Sequence, residues 1–196
     1  MLFNSKSFVL FISVVFILFW VLPSRNLKAR NLLLLTASYY FYACWDPRFL
    51  LILLFSTLLN YMAGRIIAHA QPYRKYWFWA AISFNIGFLC FFKYNDFFVQ
   101  SFSLFIADLG ISVNLTTLKV ILPVGISFYT FHGLSYIIDV YRKDIPAEKN
   151  IVDYAVFTGF FPLLVAGPLE RATHLLPQLK TPKVFNYTQA VDGLRQ

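Results

Sequence analysis

The residues best equipped for chemistry lie in one apolar run, LPVGISFYTFHGLSYIIDVYRK, at positions 122–143. With Tyr129 set at zero and a helical advance of about 100° per residue, Gly125 falls near −40°, His132 near −60°, Tyr136 near −20° and Asp139 near −80°. Two phenols, an imidazole and a carboxyl therefore share one stripe, with a glycine above it. Phe128, Phe131, Leu134 and Ile138 lie largely off it. Such groups can hydrogen-bond a passing polar ligand or relay a proton. Polar residues in an apolar span are costly and often mark a pathway. They also serve as glue between helices. Ser127, Thr130 and Ser135 read as glue, and His132, Tyr136 and Asp139 as a cavity or tunnel wall. Asp139 sits near the end of the run, where it could pair with Arg142 or Lys143. His132 has no Ser or Cys nucleophile beside it, so no catalytic residue is assigned.

The second irregular stretch is GFFPLLVAGPLER, at 159–171. Pro162 removes a backbone donor, and Gly167-Pro168 breaks a helix outright. Glu170 and Arg171 follow at once. Irregular backbone at membrane depth survives only when buried in protein or lining a cavity. Two readings stay open here. The segment enters, breaks and turns inside the protein, with Glu170 and Arg171 paired to each other or to a buried partner. Otherwise it is an ordinary helix with a Gly-Pro stop and exposed charges.

The elements that must position these residues are membrane helices. Hydrophobic residues fill 59% of the 196 positions and charged residues only 13%. Soluble chains run at about 45–50% and about 25%. The apolar segments are 7–22, 31–45, 49–68, 76–92, 118–140 and 151–165. The first is roughly 24 Å long as a helix against a hydrocarbon core of about 30 Å, and Leu2 and Phe3 make up the difference. No cleavage site follows it, so it reads as an uncleaved span rather than a signal peptide. Between the fourth and fifth segments, Phe98, Phe102, Phe105, Ile106 and Leu109 follow helical spacing. The stretch 97–110 is expected to be a separate interfacial helix.

The formal charge is +8, but the cations sit in short gaps between apolar runs. That makes them topology signals and contacts to membrane-lipid headgroups rather than a nucleic-acid surface. Arg25, Lys28 and Arg30 fill the first gap, Arg65, Arg74 and Lys75 the third, and Arg142, Lys143 and Lys149 the fifth. The second gap holds Arg48 alone, and the fourth Lys93 and Lys119. The odd gaps are thus cytoplasmic and the N-terminus faces outward. Cys44 and Cys90 form no CxxC and no Cys/His cluster, so they read as buried, unpaired small hydrophobes and no metal site is expected. Asn186 with Gln189 resembles a capping box opening a last helix, which stops after about two turns at Gln196. The chain is therefore expected to be part of a longer protein.

These residues alone name no reaction. At the two irregular stretches, however, the chain resembles the membrane-bound O-acyltransferase (MBOAT) family. Leu122-Pro123-Val124-Gly125-Ile126-Ser127-Phe128-Tyr129-Thr130-Phe131-His132 matches the first family signature, continued by Ser135-Tyr136-Ile137-Ile138-Asp139-Val140-Tyr141-Arg142. Phe160-Phe161-Pro162 and Ala166-Gly167-Pro168-Leu169-Glu170-Arg171 resemble the second. Met1-Leu2-Phe3-Asn4-Ser5 and 39–45 also fit, and the nearest branch is the AlgI-like and DltB-like bacterial one.

The resemblance implies an all-α, polytopic protein of about six membrane segments plus an interfacial helix, forming an incomplete MBOAT fold in a bacterial inner membrane. A tunnel would carry an acyl group, usually acetyl, from a cytoplasmic thioester such as acetyl-CoA to hydroxyls of an exported polysaccharide such as alginate. A periplasmic acetyltransferase partner is implied, and no bound cofactor. Gly125, Tyr129, His132, Tyr136, Asp139, Gly167, Pro168 and Arg171 would line the tunnel. The family's catalytic histidine lies in its second half, and His69, His132 and His174 do not match its context. The chain alone is expected to be inactive. A transporter with broken helices or a non-catalytic membrane scaffold is the alternative.

Overall fold

The computed structural model describes residues 5–108 and 122–195. Their regular elements are all helical: α1 (Lys6–Val21), α2 (Leu27–Ala43), α3 (Pro47–His69), α4 (Arg74–Asp108), α5 (Ile126–Arg142), α6 (Ile151–Gly159), α7 (Phe161–Ala166), α8 (Ala172–Leu179) and α9 (Tyr187–Arg195). Short polar side chains start most of them by accepting an otherwise unpaired N–H. Ser5 caps α1 from Phe8 at 3.2 Å, Asn26 caps α2 from Ala29 at 3.2 Å, and Asn150 caps α6 from Val152 at 3.0 Å. Asp46 caps α3 from Arg48 at 2.9 Å, with Pro47 preset for the first helical position. Asn186 accepts from Thr188 at 3.0 Å at the start of α9, which is the expected asparagine half of its cap.

The tightest packing is between α3 and α5. A Cβ on Gly64 would stand 2.3 Å from the Tyr136 ring, and one on Gly133 would stand 2.6 Å from Asn60 Nδ2. Only glycine lets these two helices approach so closely, as small-residue seams do between membrane helices. Beside the seam, Asn60 and Asn85 exchange two amide hydrogen bonds, at 3.1 and 2.7 Å, tying α3 to α4. Thr57 and Thr158 join α3 to α6 at 3.1 Å. The outer faces are the reverse: Val9, Leu10, Phe16 and Ile17 of α1, and Leu51, Phe55 and Met62 of α3, are exposed. A contiguous exposed apolar face of this kind marks a partner or a membrane.

The helix α3 has 23 residues and contains an 18-residue stretch of mean hydropathy 1.8, long and apolar enough to cross a membrane. The apolar stretches Lys6–Val21 and Ile151–Leu164 are shorter.

Three expectations are corrected. The separate interfacial helix at 97–110 does not form: through Asp108 that stretch continues α4, a 35-residue helix. Lys93-Tyr94-Asn95-Asp96 is polar, but it holds no proline or glycine, so nothing ends the helix there. Residues 109–110 lie outside the described residues, as do 118–121 at the start of the fifth predicted segment. Segment 151–165 breaks earlier than expected, at Phe160, whose φ of −60° and ψ of 111° are extended. Pro162 cannot donate to the Thr158 carbonyl and its ring crowds it, so α6 stops and α7 restarts. Cys44, expected to be buried, is exposed at the end of α2, beyond the packed seam; both cysteines are free.

Candidate functional site

The stripe on α5 forms as its spacing requires. Tyr129, His132, Tyr136 and Asp139 are all buried, His132 with 1% of its surface exposed. Gly125 precedes the helix at φ 76°, in the left-handed region, and a Cβ there would stand 2.6 Å from the Leu164 carbonyl of α7. Glycine is thus needed twice, for its dihedral and for the close approach of two backbones. The other end closes with Lys143 at φ 69°, its N–H bonding to Val140 and that of Asp144 to Asp139, a Schellman arrangement.

The four side chains have different surroundings. The Tyr136 hydroxyl accepts the Glu148 N–H at 2.9 Å, and its ring packs on Gly64 and Tyr154. Tyr129 lies between α2, α3 and α7 with Tyr42, Leu53 and Leu164, and its buried hydroxyl makes no hydrogen bond among the described residues. Both His132 ring nitrogens are buried without one. The ring lies 5.3 Å from that of Phe157, with the Thr158 backbone nearby but without good hydrogen-bond geometry. Thr158 is the residue whose carbonyl Pro162 cannot engage. On Asp139, Oδ2 has no partner, while the Thr173 backbone at the start of α8 and the charges of Arg171 and Arg142 are within electrostatic reach. No ion pair joins Asp139 to Arg142 or Lys143 among the described residues.

The structure brings Gly125, Tyr129, His132, Tyr136 and Asp139 onto one buried face, with Arg171 near its lower end. Gly167 and Pro168 belong to the extended link between α7 and α8. Gly167 packs against Leu163 of its own segment, where a Cβ would stand 2.5 Å from Leu163 Cδ2. Pro168 and Arg171 are exposed. Glu170 pairs with His174 at 2.7 Å rather than with Arg171.

Three polar ties fix how α6, α7 and α8 run. Asn31 of α2 donates to Asp153 in the first turn of α6 at 2.8 Å and to the Leu179 carbonyl at the end of α8 at 3.0 Å. Glu148, just before α6, pairs with Lys180, just after α8, at 2.6 Å. The α6–α7–α8 unit therefore begins and ends at the same level of the bundle, beside Tyr136 and Asp139. It enters, breaks at Phe160, and returns. The Pro162 and Gly167-Pro168 signals pointed to such a turn. Asn31, Asp153, Glu148, Asn60 and Asn85 were not singled out in the sequence, although polar residues inside apolar segments two, three and four were the available signal.

No family model matches the chain, and no solved structure matches it. Curated relatives do. The chain is 41% identical over 182 residues to "Probable alginate O-acetylase AlgI" of Azotobacter vinelandii, covering 91% of this chain and 36% of that protein. The protein of the same name in Pseudomonas aeruginosa is 40% identical over 196 residues, 98% of this chain and 36% of its own length. A peptidoglycan O-acetyltransferase of Helicobacter pylori is 30% identical over 225 aligned residues, 99% of this chain and 42% of that protein. The chain thus spans little more than a third of the length of the curated relatives it matches. Over nearly all of its length the chain is thus similar to a part of proteins named alginate O-acetylase AlgI and peptidoglycan O-acetyltransferase, a likeness consistent with the AlgI-like family of MBOAT type.

Proposed function

We propose that this chain forms part of the membrane domain of an O-acetyltransferase acting on an exported polysaccharide, alginate or a peptidoglycan glycan. The observation that carries the proposal is the 40% identity to an alginate O-acetylase over 98% of the chain. The buried face of α5 supports it, since Tyr129, His132 and Asp139 hold polar atoms that find no partner among the described residues. A buried unpaired polar group costs about 1–3 kcal/mol, which a purely structural helix would avoid.

In this reading the protein is a multi-pass protein of the bacterial inner membrane, its N-terminus outward and its Arg- and Lys-rich gaps cytoplasmic. The α6–α7–α8 unit is re-entrant from the cytoplasmic side. An acyl thioester such as acetyl-CoA delivers its acyl group at that side, where Asp139 and Arg171 stand. The tunnel wall runs from there past His132 and Tyr129 to Gly125. In the chemical step an acceptor hydroxyl attacks the thioester carbonyl, its proton passes to a histidine beyond Gln196, the C–S bond breaks, and the departing thiolate takes that proton back from the histidine. A periplasmic acetyltransferase would complete delivery to the polymer.

The test is complementation of a strain lacking its own AlgI-type protein. The full-length gene product should restore acetyl groups on exported polysaccharide, and residues 1–196 alone should not. Full-length protein that inserts in the membrane yet restores no acetylation of any exported glycan would overturn the proposal.

A further inference from the structure

Where α1, α2 and α8 meet, a cleft of about 180 Å³ opens beside Arg30. Phe19, Leu34, Phe160 and Leu175 give it apolar walls, Asn31, Gln178 and Thr181 are its neutral polar groups, and Arg30 and Lys183 are its charged residues, with no carboxylate in the lining. Arg30 is 97% buried, being 3% exposed, and no carboxylate pairs with it among the described residues. Its guanidinium donates to the Leu22 carbonyl at 3.2 and 2.8 Å and to the Lys183 carbonyl at 2.9 Å. It also lies 4.7 Å over the Phe19 ring and 5.5 Å over that of Trp20. These contacts use three of its five N–H donors and leave its charge uncompensated. A buried charge without a counter-charge is costly unless an anion meets it.

The cleft does not end at this mouth. Phe19, Leu34 and Phe160 also line an adjoining apolar groove that continues along α1 past Phe16 and Val15 to Ile12. From Trp20 back to Ile12 the groove is about 12 Å long, enough for roughly the first nine carbons of one acyl chain. A buried cation at the mouth of an apolar channel has the shape and charge of a phospholipid. The cation lies in the first Lys/Arg-rich gap, and in a cytoplasmic leaflet such gaps face anionic lipid.

We propose that the α1–α2–α8 cleft is a binding site for one anionic phospholipid, its phosphate at Arg30 and Lys183 and one acyl chain along α1 toward Ile12. The proposal rests on the membrane orientation given above but not on acetyl transfer. Bound lipid would tie the Lys183 loop and the return of α8 to the first helical hairpin, so it would stabilise the re-entrant unit.

The test is thermal melting of the purified full-length protein in detergent with added phosphatidylglycerol, phosphatidylcholine or inorganic phosphate. Phosphatidylglycerol should raise the melting temperature, and the other two should not. Lys183→Gln, at an exposed side chain, should weaken the phosphatidylglycerol effect about fivefold while leaving the unliganded melting temperature unchanged. Val15→Trp, filling the channel, should remove the effect. Because Arg30 also ties the backbone, Arg30→Gln is a weaker variant and Lys183→Gln decides. Equal shifts with both lipids, a shift with phosphate alone, or an unchanged preference in Lys183→Gln would overturn the proposal. Retained phosphatidylglycerol binding in a protein that acetylates nothing would sink the enzymatic reading and leave this one standing.

Discussion

The two sides of α5 differ in how they treat polar atoms. Toward α3 and α4 the helix shows Gly133, and beside it Asn60 and Asn85 satisfy each other through paired amides. Toward α6 it shows His132, and toward α7, at the border with α2 and α3, Tyr129; their polar atoms are equally buried and have no partner among the described residues. Both sides are polar and both are hidden from solvent, so burial alone does not tell them apart. Hydrogen-bond accounting does. Satisfied groups rigidify a bundle, whereas unsatisfied ones lower its stability and persist where another use holds them. Tyr136 shares the unpartnered side's stripe but belongs with the first group, because Glu148 satisfies its hydroxyl.

The largest effect should come from closing the seam. Gly64→Val puts side-chain atoms where the Tyr136 ring stands, 2.3 Å away at Cβ alone. Overpacking of this kind should cost about 3 kcal/mol or more, read as lost folded protein in detergent melts. A normal melt would show that the helices can separate, and the contrast between the two sides would lose its rigid half. Next, Tyr136→Phe removes the bond to Glu148 and should cost about 1–2 kcal/mol, lowering melting temperature and transfer together. A loss of transfer without a loss of stability would move Tyr136 into the tunnel wall. Smaller still is the Asn60–Asn85 coupling. A double-mutant cycle with alanines should return about 0.6–1.5 kcal/mol, the range for polar pairs between membrane helices. A coupling of zero would remove the seam's claim to be polar glue.

Much of this contrast was legible in the sequence. The 3.6-residue period put Tyr129, His132, Tyr136 and Asp139 on one face, and the helix bears that out because its register follows from backbone geometry alone. Asn186 was read as the start of a last helix, and its side chain does accept the Thr188 N–H there. What the period could not separate was Tyr136 from its neighbours. That depends on Glu148, twelve residues on, whose N–H reaches the hydroxyl from the link ahead of α6, where Lys180 pairs with its carboxylate. The return itself was half legible: Pro162 and Gly167-Pro168 signalled breaks, but their geometry depends on Asn31, Asp153 and Lys180, which are far apart in sequence. The continuity of α4 was missed because a polar interruption was read as a boundary, although only backbone chemistry ends a helix.

The measurement that tests the account most directly is His132→Phe in the full-length protein, with stability and acetyl transfer read on the same preparation. Phenylalanine keeps the ring against Phe157 and removes two buried unpartnered nitrogens. The account predicts a melting temperature equal to or above that of the parent and acetyl transfer to exported polysaccharide reduced at least about tenfold, a barrier change of about 1.4 kcal/mol. Unchanged transfer with lowered stability would contradict it, and would return both sides of α5 to the single role of packing.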